Sequence, residues 1–286
     1  MADCGWFLCS QPATRCLIIP VSEPFSLAHT LGCGQFFRHW KDGEWYYAAN
    51  GTLVVKAKQD GNKLDVESNG SRREVERFFA LDHDLPCILK SINKDSSIRS
   101  ATRQYAGLRI LRQDPWQCLI SFICSSASNI PRITGIVSRL SERYGEAVEL
   151  DGKEMHAFPT TERLAKASLP DLKACGLGFR ARFVHGACRR DVDLLQMHAG
   201  EYHHAHAALM QLDGVGEKVA DCVCLFALEK LESFPTDVWV ARLVKELYLP
   251  GKDVTPKVAR VFGMEYFGKY AGYAQEYLYH WRRMQE

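Results

Sequence analysis

The chain has 286 residues, 47% of them hydrophobic and 24% charged, and a formal net charge of +2. That is ordinary globular composition, long enough for two domains or one large one, and it excludes a disordered, fibrous or collagen-like chain. A charge so close to balance neither requires nor forbids a nucleic-acid partner, so that argument has to rest on local sites.

The first third is β-rich. "EWYYAANGTLVVKAK" and "GNKLDVES" alternate as strands do, and Asp60-Gly61 between them is a hairpin signal. The pattern around Leu64 and Val66 predicts a sheet with one solvated face. Helical periodicity takes over from Val75, with Asp82 and Asp84 as turn or cap residues. Asp114-Pro115 opens a buried helix through "WQCLISFICSS". "ITGIVSRLSERYG" is amphipathic and closes on Gly145, and "TTERLAKA" and "LPDLKACGLG" are shorter helices. Beyond them "RARFVHGACRRDVDLL", "EYHHAHAALMQL", "GEKVADCVCLFALEK", "TDVWVARLVKELY", "TPKVARVFGMEYFG" and "YAGYAQEYLYHWRR" continue as helices. No long-period repeat or low-complexity stretch interrupts them.

Eleven cysteines, an odd number in no secreted spacing, point to reduced thiols in an intracellular protein. Cys4, Cys9 and Cys16 are expected to be core or incidental thiols. Cys222 and Cys224 are the last two, so the C-terminal region has no four-cysteine cluster for zinc or iron–sulfur. The opening "MADCGWFLCS" has no basic leader region and no apolar run reaches membrane length, so no membrane role is expected.

"LDGVGEKVADC" concentrates the chemistry. Gly214 and Gly216 flank Val215 and permit close backbone approach, with free amides at the following helix start. Such amides bind anions, a DNA phosphate among them; an ordinary helix–turn–helix connection has the same appearance. Lys218 follows in the first turn, where the helix dipole opposes a cation and Val219, Ala220 and Cys222 put apolar material beside it. It is either a nucleophile or a solvated lysine beside Glu217. Asp237 precedes the helix "VWVARLVKELY" as an N-cap, and a fixed anion there also suits chemistry through a sugar oxocarbenium.

Taken together, "LDGVGEKVADCVCLFAL" and "FPTDVWV" resemble the core motif of the helix-hairpin-helix DNA glycosylases, and within them the 8-oxoguanine DNA glycosylases. "GCGQFFR", "LRILRQDPWQCLISFICSS", "IPRITGIVSRL", "GLGFRARFV" and "YAGYAQEYL" fall in the order that family shows. The resemblance implies an α+β fold: an antiparallel, TATA-binding-protein-like β domain over 1–113, packed on an all-α glycosylase core over 114–286. The helix-hairpin-helix would span about 203–228. It implies a monomer that excises 8-oxoguanine from double-stranded DNA, with Lys218 attacking C1′ of an extruded nucleotide and Asp237 as the carboxylate partner. A Schiff base with the opened sugar then leads to strand cleavage by β-elimination.

The same resemblance implies a base pocket. Gly34 would offer its carbonyl to the N7–H that 8-oxoguanine has and guanine lacks, Gln275 would address the base edge, Cys222 would stack on one face, and Tyr279 stands where Phe is frequent. Asn129, Arg132 and Arg180 would meet the opposite strand, Phe179 would be the wedge, and Gly214, Val215 and Gly216 would hold the DNA backbone. Two departures stand out. Ala127 replaces an asparagine that helps read the orphaned cytosine, which implies a relaxed opposite-base preference, and Trp239 replaces a histidine.

No cofactor is expected. His203, His204 and His206 imitate a metal site without an acidic ligand nearby, and the carbonyls of Met210, Leu212 and Val215 are where a structural cation would sit. Two alternatives stay open: a monofunctional glycosylase for alkylated bases that uses water, and a non-catalytic helix-hairpin-helix DNA-binding module. The expected setting is intracellular and DNA-associated, in a nucleoid or a nucleus.

Overall fold

Five antiparallel strands lie side by side in the order β1-β5-β4-β3-β2. They are β1 (Arg15–Pro20), β2 (His39–Asp42), β3 (Trp45–Asn50), β4 (Leu53–Asp60) and β5 (Lys63–Ser68). The structure is a computed structural model describing residues 14–21, 24–190 and 192–285; Cys4 and Cys9 lie outside the described residues.

Strand alternation divides the side chains between two faces. Ile19, Ala48, Val55, Ala57, Leu64 and Val66 join Leu27, Leu31, Phe36 and Phe78 in one core. Tyr47, Ala49 and Val54 face the other way. The stretch that reads as one strand through "AANGTL" is two, because Gly51 adopts φ +61° and turns β3 into β4. The next turn centres on Gly61-Asn62, with Asp60 already paired to Lys63.

The second face of the sheet is not fully solvated, contrary to the alternation argument. A short hairpin, β6 (Ala147–Leu150) with β7 (Lys153–His156), lays Leu150 and Met155 on Tyr47, Ala49 and Val54. Its turn residue Asp151 ion-pairs with Lys56 at 2.9 Å and accepts from the Tyr47 hydroxyl at 3.0 Å. Sequence reading missed this hairpin, since two four-residue strands between helices carry too little alternation to register.

The helices start largely where their caps predict. Asp114 accepts from the Gln117 amide at the head of Pro115–Cys124, Asn129 from Arg132 ahead of Ile130–Tyr144, and Thr255 from Val258 ahead of Pro256–Phe267. Asp84 caps Leu85–Ile92, and the helix expected from Val75 begins at Arg72 behind a Ser71–Glu74 capping box. "RARFVHGACRRDVDLL" is not continuous: it forms Ala181–Ala187 and then opens Leu194–Ala199.

Sheet and helices are stitched by the segment 108–113. Gln35 is buried beneath it. Its amide donates to the Arg109 carbonyl at 2.8 Å, and its oxygen accepts from the Leu111 amide at 2.8 Å. Leu108 O accepts from the Tyr277 hydroxyl at 3.0 Å, and Gln113 N donates to Phe226 O at 2.8 Å. These bonds fix the loop Gly32–Gln35 against the C-terminal helix Ala271–Arg283 and the helix Glu217–Phe226, which together make the site.

Candidate active site

Gly216 begins the helix Glu217–Phe226 in an extended conformation and without a side-chain cap, so its first-turn amides are left to an outside acceptor. Gly214 has φ +84°, and a Cβ there would meet the Phe183 ring at 2.5 Å. Only glycine lets the hairpin sit this close to its neighbour. Val215 does a different job from the one its place between the glycines suggests. Its side chain is buried in the core and its amide donates to Leu212 O, so it anchors the turn while Gly216 faces out.

Lys218, one turn in, is half-buried. Its Nζ donates to Ser125 Oγ at 3.0 Å and lies 5.0 Å from the centre of the Phe122 ring. Phe122 in turn stacks on Phe226 at 5.5 Å. The amine is therefore directed along an aromatic wall and does not trail in solvent. Behind it, buried Asp221 accepts from Tyr202 at 2.6 Å, Arg260 at 2.6 Å and Ser233 at 3.0 Å, which satisfies the carboxylate and fixes the helix.

Asp237 follows buried Pro235 and Thr236 and is itself exposed. Oδ1 accepts from the amides of Trp239 and Val240, both at 2.9 Å, capping Val238–Tyr248. Among the described residues Oδ2 has no hydrogen-bond partner. Lys218 and Asp237 both line one cavity of about 390 Å³, in the range of small-molecule sites. They also line an adjoining groove with Gly214, Gly216 and Ala127. The cavity and the groove thus meet at the lysine and the carboxylate.

The cavity gathers the other expected residues. Gly34 has φ +106°, and a Cβ there would fall 2.5 Å from an Arg283 nitrogen, so glycine suits this place on the cavity wall. Gln275 is buried, and its Oε1 has no hydrogen-bond partner. Cys222 is buried, and burial pushes its thiol up to about 12, so it faces the cavity as a neutral, polarizable group. Tyr279 meets Trp239 edge-on at 5.2 Å, which gives the replaced histidine position a packing role.

Two domain families match adjoining parts of the chain. Residues 17–119 match the domain family described as 8-oxoguanine DNA glycosylase, N-terminal domain, and residues 120–268 match the HhH-GPD superfamily base excision DNA repair proteins. The chain belongs to the HhH-GPD superfamily, in its 8-oxoguanine DNA glycosylase branch. It is 33% identical to the N-glycosylase/DNA lyase OGG1 of Arabidopsis thaliana over 90% of this chain and 79% of that one. A solved structure of MBOgg1 in complex with a low affinity DNA ligand superposes with TM-score 0.89 at 31% identity, covering 96% of this chain and 100% of the other. The Clostridium acetobutylicum 8-oxoguanine glycosylase/lyase, solved with dsDNA containing cytosine opposite to 8-oxoG, superposes with TM-score 0.87 at 33% identity over 91% and 92% of the two chains.

Against that glycosylase framework the opposite-strand residues divide. Phe179 is 54% exposed, with the Arg180 guanidinium 4.5 Å from its ring centre. Arg132 is exposed and free to reach outward. Arg180 differs from the expectation. It is buried, and its guanidinium donates to the carbonyls of Ser126, Ala127 and Leu177, so here it shapes the loop that carries Ala127. Asn129 uses its side-chain oxygen for the helix cap.

His206 turns toward Asp221 and Arg260, while His203 and His204 are exposed, so the three do not converge. Among the described residues no group of three or more His, Cys, Asp or Glu could hold a metal ion. No helix among them is long and apolar enough to cross a membrane. Sequence reading missed Ser125 as the lysine's partner, Phe122 and Phe226 as its wall, and Glu276. The serine sits in a run of small polar residues with nothing to single it out, and the others read as plain helix residues.

Proposed function

We infer that this protein is a bifunctional DNA-repair glycosylase that excises 8-oxoguanine from duplex DNA and then nicks the strand. One observation carries the reading most: an amine and a carboxylate at two helix starts open into one cavity whose wall also holds the unpartnered Gln275 oxygen.

In this mechanism the phosphate backbone rests on the bare amides after Gly216. The damaged nucleotide leaves the stack, enters the cavity, and Phe179 fills its place. Lys218 Nζ, having shed a proton, forms a bond to C1′ as the C1′–N9 bond breaks; the bond pair leaves with the base, which is protonated at nitrogen. The Asp237 carboxylate stabilises the positive charge that builds on the sugar. Ring opening at O4′ gives the Schiff base, loss of a C2′ proton expels the 3′-phosphate, and water releases the lysine. The Gly34 carbonyl accepts from N7–H of 8-oxoguanine and repels the N7 lone pair of guanine, a buried mismatch costing about 1–3 kcal/mol.

With Ala127 in the loop, discrimination for cytosine opposite the lesion is weakened, and the protein works intracellularly on DNA. The monofunctional alternative would leave the directed amine of Lys218 without a task, and a binding module would need no base cavity. Borohydride trapping on an 8-oxoguanine duplex tests the reading. A covalent adduct that disappears in Lys218→Gln is expected; an adduct surviving that substitution overturns the assignment of the nucleophile, and no adduct at all overturns the lyase.

A further inference from the structure

Glu276 adjoins Gln275 on the C-terminal helix and lines the same cavity, yet none of the steps above uses it. It is only 2% exposed, and its Oε1 is out of water's reach with no hydrogen-bond partner. A buried carboxyl oxygen without a partner is costly, and on a residue that lines a cavity it is available to a group that enters.

We propose that Glu276 is a further specificity-determining residue, whose carboxyl group hydrogen-bonds the edge of the extruded purine beside Gln275. This rests on the excision reading above and adds what the site selects within it. The cavity's other polar groups set the direction of the bond. Gly34 offers an acceptor, Cys222 a weak donor and Gln275 one carboxamide that both donates and accepts, and a base with two carbonyl oxygens takes a further donor beside them. A neutral carboxylic acid supplies one. Burial raises the Glu276 carboxyl to about 7, with the Cys33 thiol and Arg283 opposing, so at and below neutrality a large share carries its proton.

The groups facing it are Cys33 from the loop Gly32–Gln35, Cys222 from the Lys218 helix, and Tyr279 and Arg283 from its own helix; Lys218 and Asp237 share the cavity. Burial pushes the Cys33 and Cys222 thiols and the Tyr279 phenol upward, away from the range in which Glu276 titrates. Protonated, the carboxyl donates to the O6 of a 6-oxo purine. Ionised, it repels O6 and accepts instead from the N6 amino group of a 6-amino purine.

The test is a ratio within one enzyme. Single-turnover excision of 8-oxoguanine and of 8-oxoadenine, each opposite cytosine, is measured with the full-length protein from about pH 6 to about pH 8.5. Lys218 serves both substrates, so its protonation cancels in the ratio. The wild-type preference for 8-oxoguanine is expected to fall about tenfold across that range, the worth of one hydrogen bond. In Glu276→Gln, whose amide donates and accepts without titrating, the ratio should be flat. A flat wild-type ratio, a slope retained in Glu276→Gln, or 8-oxoadenine refused equally by both proteins overturns the proposal. The wild-type slope decides the matter even if the variant fails to fold. Failure of the underlying reading looks different: neither base is released at any pH.

Discussion

The amine of Lys218 donates to the hydroxyl of Ser125, 93 residues earlier in the chain, across 3.0 Å. Ser125 ends the helix Pro115–Cys124, and its hydroxyl donates a hydrogen bond to Phe122 O at 2.7 Å, which leaves a lone pair turned to the amine. The serine thus aims the nucleophile along the Phe122 ring. Ser125→Ala should lower single-turnover excision by about tenfold, because near-attack geometry is lost while the amine remains. Duplex affinity should hold, and stability should fall by about 1 kcal/mol. An unchanged excision rate would mean that the serine only parks the lysine.

Asp237 combines a cap with a charge, and the two can be separated. Asn caps as well as Asp, so Asp237→Asn should keep its hydrogen bonds to Trp239 and Val240 and lose less than about 0.5 kcal/mol. Base excision should nevertheless drop by about a hundredfold or more, since the anion facing the sugar is gone. Asp237→Ala removes both and should also cost about 1 kcal/mol of stability. Parallel melting curves and excision rates decide it; an Asn variant that folds and excises as fast as the wild type would make the residue a cap alone.

What the sequence reveals here is local, and what it hides is non-local. Asp114, Asn129, Thr255 and Asp237 mark helix starts because capping is settled within four residues. The hairpin glycines and Lys218 are legible for the same reason. Arg180 is misleading, because a guanidinium in a surface-like segment gives no sign that three backbone carbonyls across the loop will enclose it. Glu276 next to Gln275 reads as a solvated helix charge. It becomes a cavity residue only because Gln35 binds the loop Gly32–Gln35 to the segment 108–113, a contact more than seventy residues long in sequence.

Ala127 carries a strain that its replacement can relieve. It is exposed and has φ +49°, a left-handed conformation costing a residue with a Cβ about 1 kcal/mol. Asparagine tolerates that conformation far better. Ala127→Asn should therefore raise stability by about 0.5 kcal/mol, and the new amide should steepen the preference for cytosine opposite 8-oxoguanine. Excision opposite each of the four bases, for both proteins, is the measurement. A wild-type preference already as steep as that of the variant would show that this position does not set it.

Glu276 also leaves a mark on stability, with a sign opposite to that of the usual carboxylate. In the folded protein burial holds its carboxyl at about 7, against an ordinary value of 4.5. Between those two values the unfolded chain has released the proton and the folded one has kept it, so the folded state binds more protons and stability falls as pH rises. The loss begins near pH 4.5, is complete above about pH 7, and amounts to at most about 3 kcal/mol. Glu276→Gln has no proton to lose. Its melting temperature should match that of the wild type near pH 4.5 and exceed it by several degrees at pH 8. A gap that stays constant from acid to alkaline pH would place the carboxylate in water and remove the basis for its part in base selection.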